Sequence, residues 1–91
     1  MEFEWNPDKA GANFKKHSVS FTEAATVFSD PLSITFPDPA HSINENRQIT
    51  IGLSKNGRLL ILAHTDRNKR LRIISAREAT RKEKRFYEQG S

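Results

Sequence analysis

Residues 47–75 read RQITIGLSKNGRLLILAHTDRNKRLRIIS, and this stretch decides the fold. From Arg47 to Leu53 the pattern alternates, with Ile49, Ile51 and Leu53 on one side and Gln48, Thr50 and Gly52 on the other, the period of a half-buried strand. Lys55-Asn56-Gly57 supplies a hairpin turn, since Asn-Gly suits turn positions that need a positive φ. Leu59-Leu60-Ile61-Leu62-Ala63 is apolar on both faces and reads as the central, most buried strand. Thr65 to Lys69 reads as a second polar turn and Leu71 to Ser75 as the last strand. On that last strand Arg70 and Arg72 share one face, and Leu71, Ile73 and Ser75 share the other.

Working outward, Leu32, Ile34 and Phe36 alternate with Ser33 and Thr35, which adds a fourth strand closed by Pro37-Asp38-Pro39. Two helix starts precede it. Asn6 before Pro7 caps a helix running to about Lys16, with Ala10, Phe14 and His17 on one face. Ser20-Phe21-Thr22-Glu23 is a capping box, with Val19 placed to staple onto Ala24 and Asp30-Pro31 as the stop. Phe3-Glu4-Trp5 reads as a short edge strand. At the other end, Ser75-Ala76-Arg77-Glu78 reads as a capping box opening a helix anchored by Ala79, Phe86 and Tyr87. The expected fold is α+β: a short N-terminal strand, two helices, a four-stranded antiparallel meander and a C-terminal helix. A chain of 91 residues holds one such domain, spanning 1–91.

Composition narrows the function. With no Cys, the chain has no disulfide, thiolate nucleophile or Cys-based zinc site. No apolar run approaches a membrane span and the first residues do not resemble a secretory signal, so a cytoplasmic protein is expected, with no membrane partner. The net charge of +4 is unevenly spread. Residues 1–45 carry three Lys against seven acids, whereas residues 46–91 carry twelve Lys and Arg against four. Such segregation fits a second half that faces an anion, or two halves that pack and neutralise each other.

His17, His41 and His64 fall on different expected elements, so no metal site and no cofactor are expected. No glycine-rich phosphate loop and no nucleophile elbow occurs. What remains is a cationic group around the last two strands: His64, Arg67, Lys69, Arg70, Arg72 and Arg77. Cleaving an RNA phosphodiester needs a deprotonated 2′-OH, a stabilised phosphorane and a protonated leaving oxygen. Arg holds the phosphate, and His or Glu moves protons. Each residue also has a plainer role open to it. Arg72 can pair with Glu45 or Glu78, His64 can be a hydrogen-bonded core histidine, and Lys15-Lys16-His17 suits a helix C-terminus. Glu45 and Arg47 can form a local ion pair, and Arg81, Lys82, Lys84 and Arg85 can be a solvated face or a partner surface.

Phe3-Glu4-Trp5-Asn6-Pro7-x-Lys9, Asn13-x-x-Lys16-His17-x-Val19-x-Phe21, Ile51-Gly52, His64-Thr65-x-Arg67 and Arg72-Ile73-Ile74-Ser75-Ala76-Arg77 occur in order. In this the chain resembles the BrnT family, the ribonuclease toxins of BrnT/BrnA type II toxin–antitoxin systems. The resemblance runs from Phe3 to about Tyr87 and implies a RelE-like fold. It further implies an RNA substrate and a BrnA-like ribbon-helix-helix antitoxin, in a two-plus-two assembly that binds operator DNA. Two positions depart from the family pattern: Asn6 stands where Asp is common, and Ser18 where Gly is common. The candidates carried forward are Arg72, Arg77, His64 and Glu45 for catalysis, and Arg47, Arg67 and Arg70 for RNA binding. Arg81, Lys82, Lys84 and Arg85 are the candidates for antitoxin binding. The expectation is a metal-independent endoribonuclease, and the alternative is a non-catalytic basic module within a DNA-binding repressor complex. An Arg crowd would lower the pKa of His64 and keep Glu45 ionised, which places more of the catalytic burden on Arg72 and Arg77 than on His64.

Overall fold

The computed structural model describes residues 1–41 and 46–90. Strand β1 (Glu2–Glu4) is followed by helices α1 (Pro7–His17) and α2 (Phe21–Ala25), then a single 3₁₀ turn over Thr26–Ser29. Strands β2 (Ile34–Pro37), β3 (Arg47–Leu53), β4 (Leu59–Arg67) and β5 (Arg70–Glu78) follow, and α3 (Arg81–Gln89) closes the chain. The sheet order is β1-β5-β4-β3-β2. The meander β2 to β5 is antiparallel, and β1 joins its edge parallel to β5. The α+β class and the central position of β4 agree with the sequence pattern, and the sheet is a mixed one of five strands.

Each face of the sheet has its own core. On one side α1 and α2 cover Leu60, Leu62, Leu71, Ile73 and Ala76, with Val19, Phe21, Ala24 and Val27 packed into them. On the other, α3 lays Tyr87 over Ile51 and Ile61, flanked by Ile34, Ile49, Leu59 and Ala79. Among the described residues α3 covers one end only, and no other α-helix lies on the remainder of that second face. Tyr87 also donates its hydroxyl to Asp30 Oδ2 at 2.6 Å. Asp30 in turn accepts from the Leu32 and Leu53 N–H groups, tying α3 to the start of the meander.

Three local expectations are corrected. Ser75 to Glu78 is strand, because Ser75 to Glu78 continue the ladder opposite Leu60 to Ala63. Helix α3 opens later, at a capping box of Thr80 and Glu83. The second turn is only Asn68-Lys69, since β4 continues to Arg67. Phe14 is exposed, and the buried residue of α1 is Asn13. Asn13 donates to the carbonyls of Val19 and Ala76 and accepts from the Ala76 N–H, stitching α1 to β5.

Asn6 caps α1 by accepting from Asp8 and Lys9 N–H. Ser18, at the other end, has φ +58°, and the β4–β5 turn holds Asn68 and Lys69 at +49° and +68°. These are left-handed conformations in which a Cβ costs about 1 kcal/mol. Ser18→Gly and Lys69→Gly should each raise the melting temperature by roughly 4–8 °C, measured by thermal denaturation. Unchanged or lower melting temperatures would count against the strain at these turns.

Candidate active site

One irregularity in β5 builds the open face. Ala63 pairs with Ser75 and His64 with Ile73, leaving Ile74 without a partner on β4. A bulge of this kind reverses the side-chain alternation beyond it. Leu71, Ile73 and Ala76 therefore all reach the α1–α2 core, while Ser75 and Arg77 join Arg70 and Arg72 on the opposite face. In an unbroken strand Arg72 and Arg77 would point opposite ways, being an odd number of residues apart.

Across the sheet, Arg47 pairs with Thr65 and Thr65 with Arg72, so these side chains stand in a row on β3, β4 and β5. Thr65 is buried, and its Oγ1 has no hydrogen-bond partner among the described residues. Toward α3 the row opens into a groove of about 470 Å³ over Ile49, Ile61, Ala63 and Ser75. Its walls carry Lys16, His17, His41, Arg47 and Arg77 beside the carboxylate of Asp38. His41 Nδ1 lies 3.1 Å from Asp38 Oδ2, and Arg47 Nε lies 3.7 Å from the same oxygen.

The arginines are braced by carboxylates. Arg72 donates to Glu4 Oε2 at 2.9 Å, because β1 sets Glu4 directly beside it in register. The partner is thus not Glu78, which lies 3.8 Å from Arg58, while Glu45 lies outside the described residues. Arg77 donates both Nη groups to Glu83 at 2.8 Å. Those bonds push the Arg77 pKa up, and with the Thr80 cap they hold Glu83 down to about 2. Arg67 and Arg70 face each other at the exposed β4–β5 turn, and Arg70 lies 3.6 Å from Glu2.

His64 is elsewhere. It is 2% exposed and points into the α1–α2 side, where its ring meets Phe28 edge to face and its Nε2 bonds Thr50 Oγ1 at 2.7 Å. Its pKa is lowered by burial against a smaller opposing pull from Asp66, so the expected direction holds while its cause is desolvation and not an Arg crowd. Glu45 lies outside the described residues. Arg81, Lys82, Lys84 and Arg85 are exposed on α3. The reading of the sequence missed Lys16, His17, Asp38, His41 and Ser75 as groove residues, although the quoted motifs contain Lys16, His17 and Ser75.

Residues 5–83 match the family model described as ribonuclease toxin, BrnT, of type II toxin–antitoxin system. The chain belongs to the BrnT family. Membership makes it a ribonuclease toxin by family, with an antitoxin as its partner and RNA as its target. A BrnT structure shares the fold: the Brucella abortus ribonuclease toxin, solved at 1.1 Å, superposes with a TM-score of 0.70 at 21% identity. The match covers 89% of this chain and 99% of that one. No curated protein matches the chain. Among the described residues of this BrnT-family chain, no helix is long and apolar enough to cross a membrane. Nor, among them, do three His, Cys, Asp or Glu side chains gather as metal ligands.

Proposed function

We propose that this chain is a metal-independent endoribonuclease whose centre is the groove on the open sheet face. The observation that carries the reading is the bulge at Ile74, which gathers Arg72, Ser75 and Arg77 with Arg47 and Thr65 on one surface. Arg72 keeps donors beyond the one bound to Glu4, and together with Arg47 and Arg77 it neutralises the scissile phosphate. Thr65 Oγ1 supplies a further donor for a phosphoryl oxygen. Arg67 and Arg70 hold the flanking backbone. The 2′-oxygen attacks phosphorus as its proton leaves to a base. The bond to the 5′-oxygen then breaks, that oxygen takes up a proton, and a 2′,3′-cyclic phosphate remains.

His41, oriented by Asp38, is the group we assign to proton transfer, with His17 also on the groove wall. Glu45, which follows His41 closely in sequence, is retained as a second candidate. His64 acts as a core residue in this reading. Purified protein should cleave RNA in EDTA and leave cyclic phosphate ends, with or without ribosomes as the substrate requires. Intact RNA, or cleavage that returns only with a divalent ion, would sink the metal-free mechanism.

The bracing of Arg72 and Arg77 by Glu4 and Glu83 favours a second reading, a non-catalytic basic module in a repressor complex. Expression in bacteria separates the two, since growth arrest that is lost in a folded Arg72→Ala variant belongs only to the enzyme. For the partner, the exposed cations Arg81, Lys82, Lys84 and Arg85 support docking of an acidic segment of a BrnA-like ribbon-helix-helix antitoxin. Two copies of each chain would bind operator DNA through the antitoxin. Reversing charge at Arg81 and Arg85 should weaken association and flatten its salt dependence, read by titration at several ionic strengths. Unchanged affinity would place the antitoxin elsewhere.

A further inference from the structure

Beyond Arg77 the cationic groove continues as an apolar trough. Ile49, Ile51 and Ile61 form its floor, and Phe36 and Phe86 stand along it. The two rings meet edge to face with centroids 5.9 Å apart, yet they stay 38% and 50% exposed. Phe86 is not what holds α3 in place, because Tyr87 anchors that helix in the core.

We propose that Phe36 and Phe86 form a stacking platform for one nucleobase next to the phosphate held by the arginines. The inference rests on the RNA-cleaving reading and deepens it, because the trough would then set which base flanks the cleaved bond. Charge selects the occupant. Arg77 lines both the cationic groove and the trough, so a phosphate bound beside it leaves its own nucleoside facing the aromatic rings. Asp38 and Glu83 also line the trough, and these carboxylates repel a second phosphate and keep the anion at the arginine end. A nucleotide joins an anion to a flat π surface, which matches guanidinium on one side and aromatic faces on the other. An acidic peptide matches only the cationic half.

The test uses the full chain with Phe86→Ala, Phe36→Ala and Phe86→Trp. Two probes serve: cleavable RNA, and a 2′-O-methyl oligonucleotide carrying 2-aminopurine, which binds without being cut. Both alanine variants lie on exposed rings of different elements, and circular dichroism confirms that each is folded. Each should bind the oligonucleotide roughly tenfold more weakly, lose 2-aminopurine quenching and flatten the base preference at one position beside the cut. Phe86→Trp should retain all three. Wild-type cleavage with unchanged pattern and quenching in both alanine variants overturns the platform and leaves the enzyme reading intact. Unchanged cleavage with lost antitoxin binding assigns the trough to the antitoxin and equally overturns it. A wild type that neither binds nor cuts RNA removes both readings at once.

Discussion

Arg58→Ala is expected to cost about 3 kcal/mol of stability, a large part of the roughly 5–15 kcal/mol available to a small domain. Glu23 is the reason. It sits in the first turn of α2, 7% exposed, and its carboxylate accepts from Arg58 Nε at 3.0 Å and from Ser54 Oγ at 2.7 Å. Arg58 also donates to the Ser18 carbonyl, so it joins the β3–β4 turn to the α1–α2 corner. Truncating it leaves a buried carboxylate with only the Ser54 hydroxyl and the weaker Asn56 side chain for compensation. The estimate stays at the low end for a broken buried pair because the Arg58 side chain is itself 30% exposed. Removing both charges, as in Glu23→Leu with Arg58→Ala, should cost less than Arg58→Ala alone. Chemical denaturation of the three variants reads the coupling, and an Arg58→Ala chain as stable as wild type would refute it.

The same pair sets the acid limb. Hydrogen bonding to Arg58, against a smaller opposing effect of burial, holds Glu23 at about 2, below its ordinary 4.5. Between those values the unfolded chain binds more protons than the folded one. The stabilisation is therefore complete above pH 4.5 and is lost as pH falls toward 2, with Glu83 adding to the same window. His64 starts the decline earlier. Burial lowers its pKa from 6.5, so stability begins to fall once pH drops below that value. The Arg58→Ala chain should show a shallower fall below pH 4.5, measured by denaturation at a series of pH values.

How far the sequence carried the fold depended on whether a pattern was local. The alternation of Ile49, Ile51 and Leu53 and the two-sided run at Leu59–Ala63 are local, and both gave strands where expected. The bulge was hidden because Ile73 and Ile74 are both apolar, so neither side of a register shift looks wrong in sequence. The end of β5 is ambiguous in sequence because two capping patterns follow one another there, Ser75 with Glu78 and Thr80 with Glu83. The length of β4 decides between them: Leu60 to Ala63 need partners, and residues 75–78 provide them. Partners across the chain were invisible for the same reason. Arg72 meets Glu4 only because β1 lies parallel beside β5, and Asn13 is buried only because Val19 and Ala76 offer it carbonyls. The sequence singles out the cationic residues as a group, but parity alone cannot place Arg77 with Arg72.

That placement gives the largest expected effect on activity. Arg72→Ala should reduce RNA cleavage by about 10²–10³-fold, the usual cost of removing one preorganised donor from a developing anion, and Arg77→Ala should fall similarly. Arg72→Lys should recover little, since a point charge cannot bind Glu4 and a phosphoryl oxygen with the same planar fork. His64→Gln should lose much less once the folded fraction is equalised. Its ring lies on the far side of the sheet from Arg47, Arg72 and Arg77, so substrate reaches it only if the core opens. The Thr50 hydroxyl retains a hydrogen-bonding neighbour in this variant, which limits the structural damage. Cleavage rates at a temperature where every variant is folded make the comparison. Should a folded His64→Gln chain be inactive while Arg72→Ala and Arg77→Ala stay near wild type, the reacting face is the helix-covered one, and the groove beside Arg47 is not the active site.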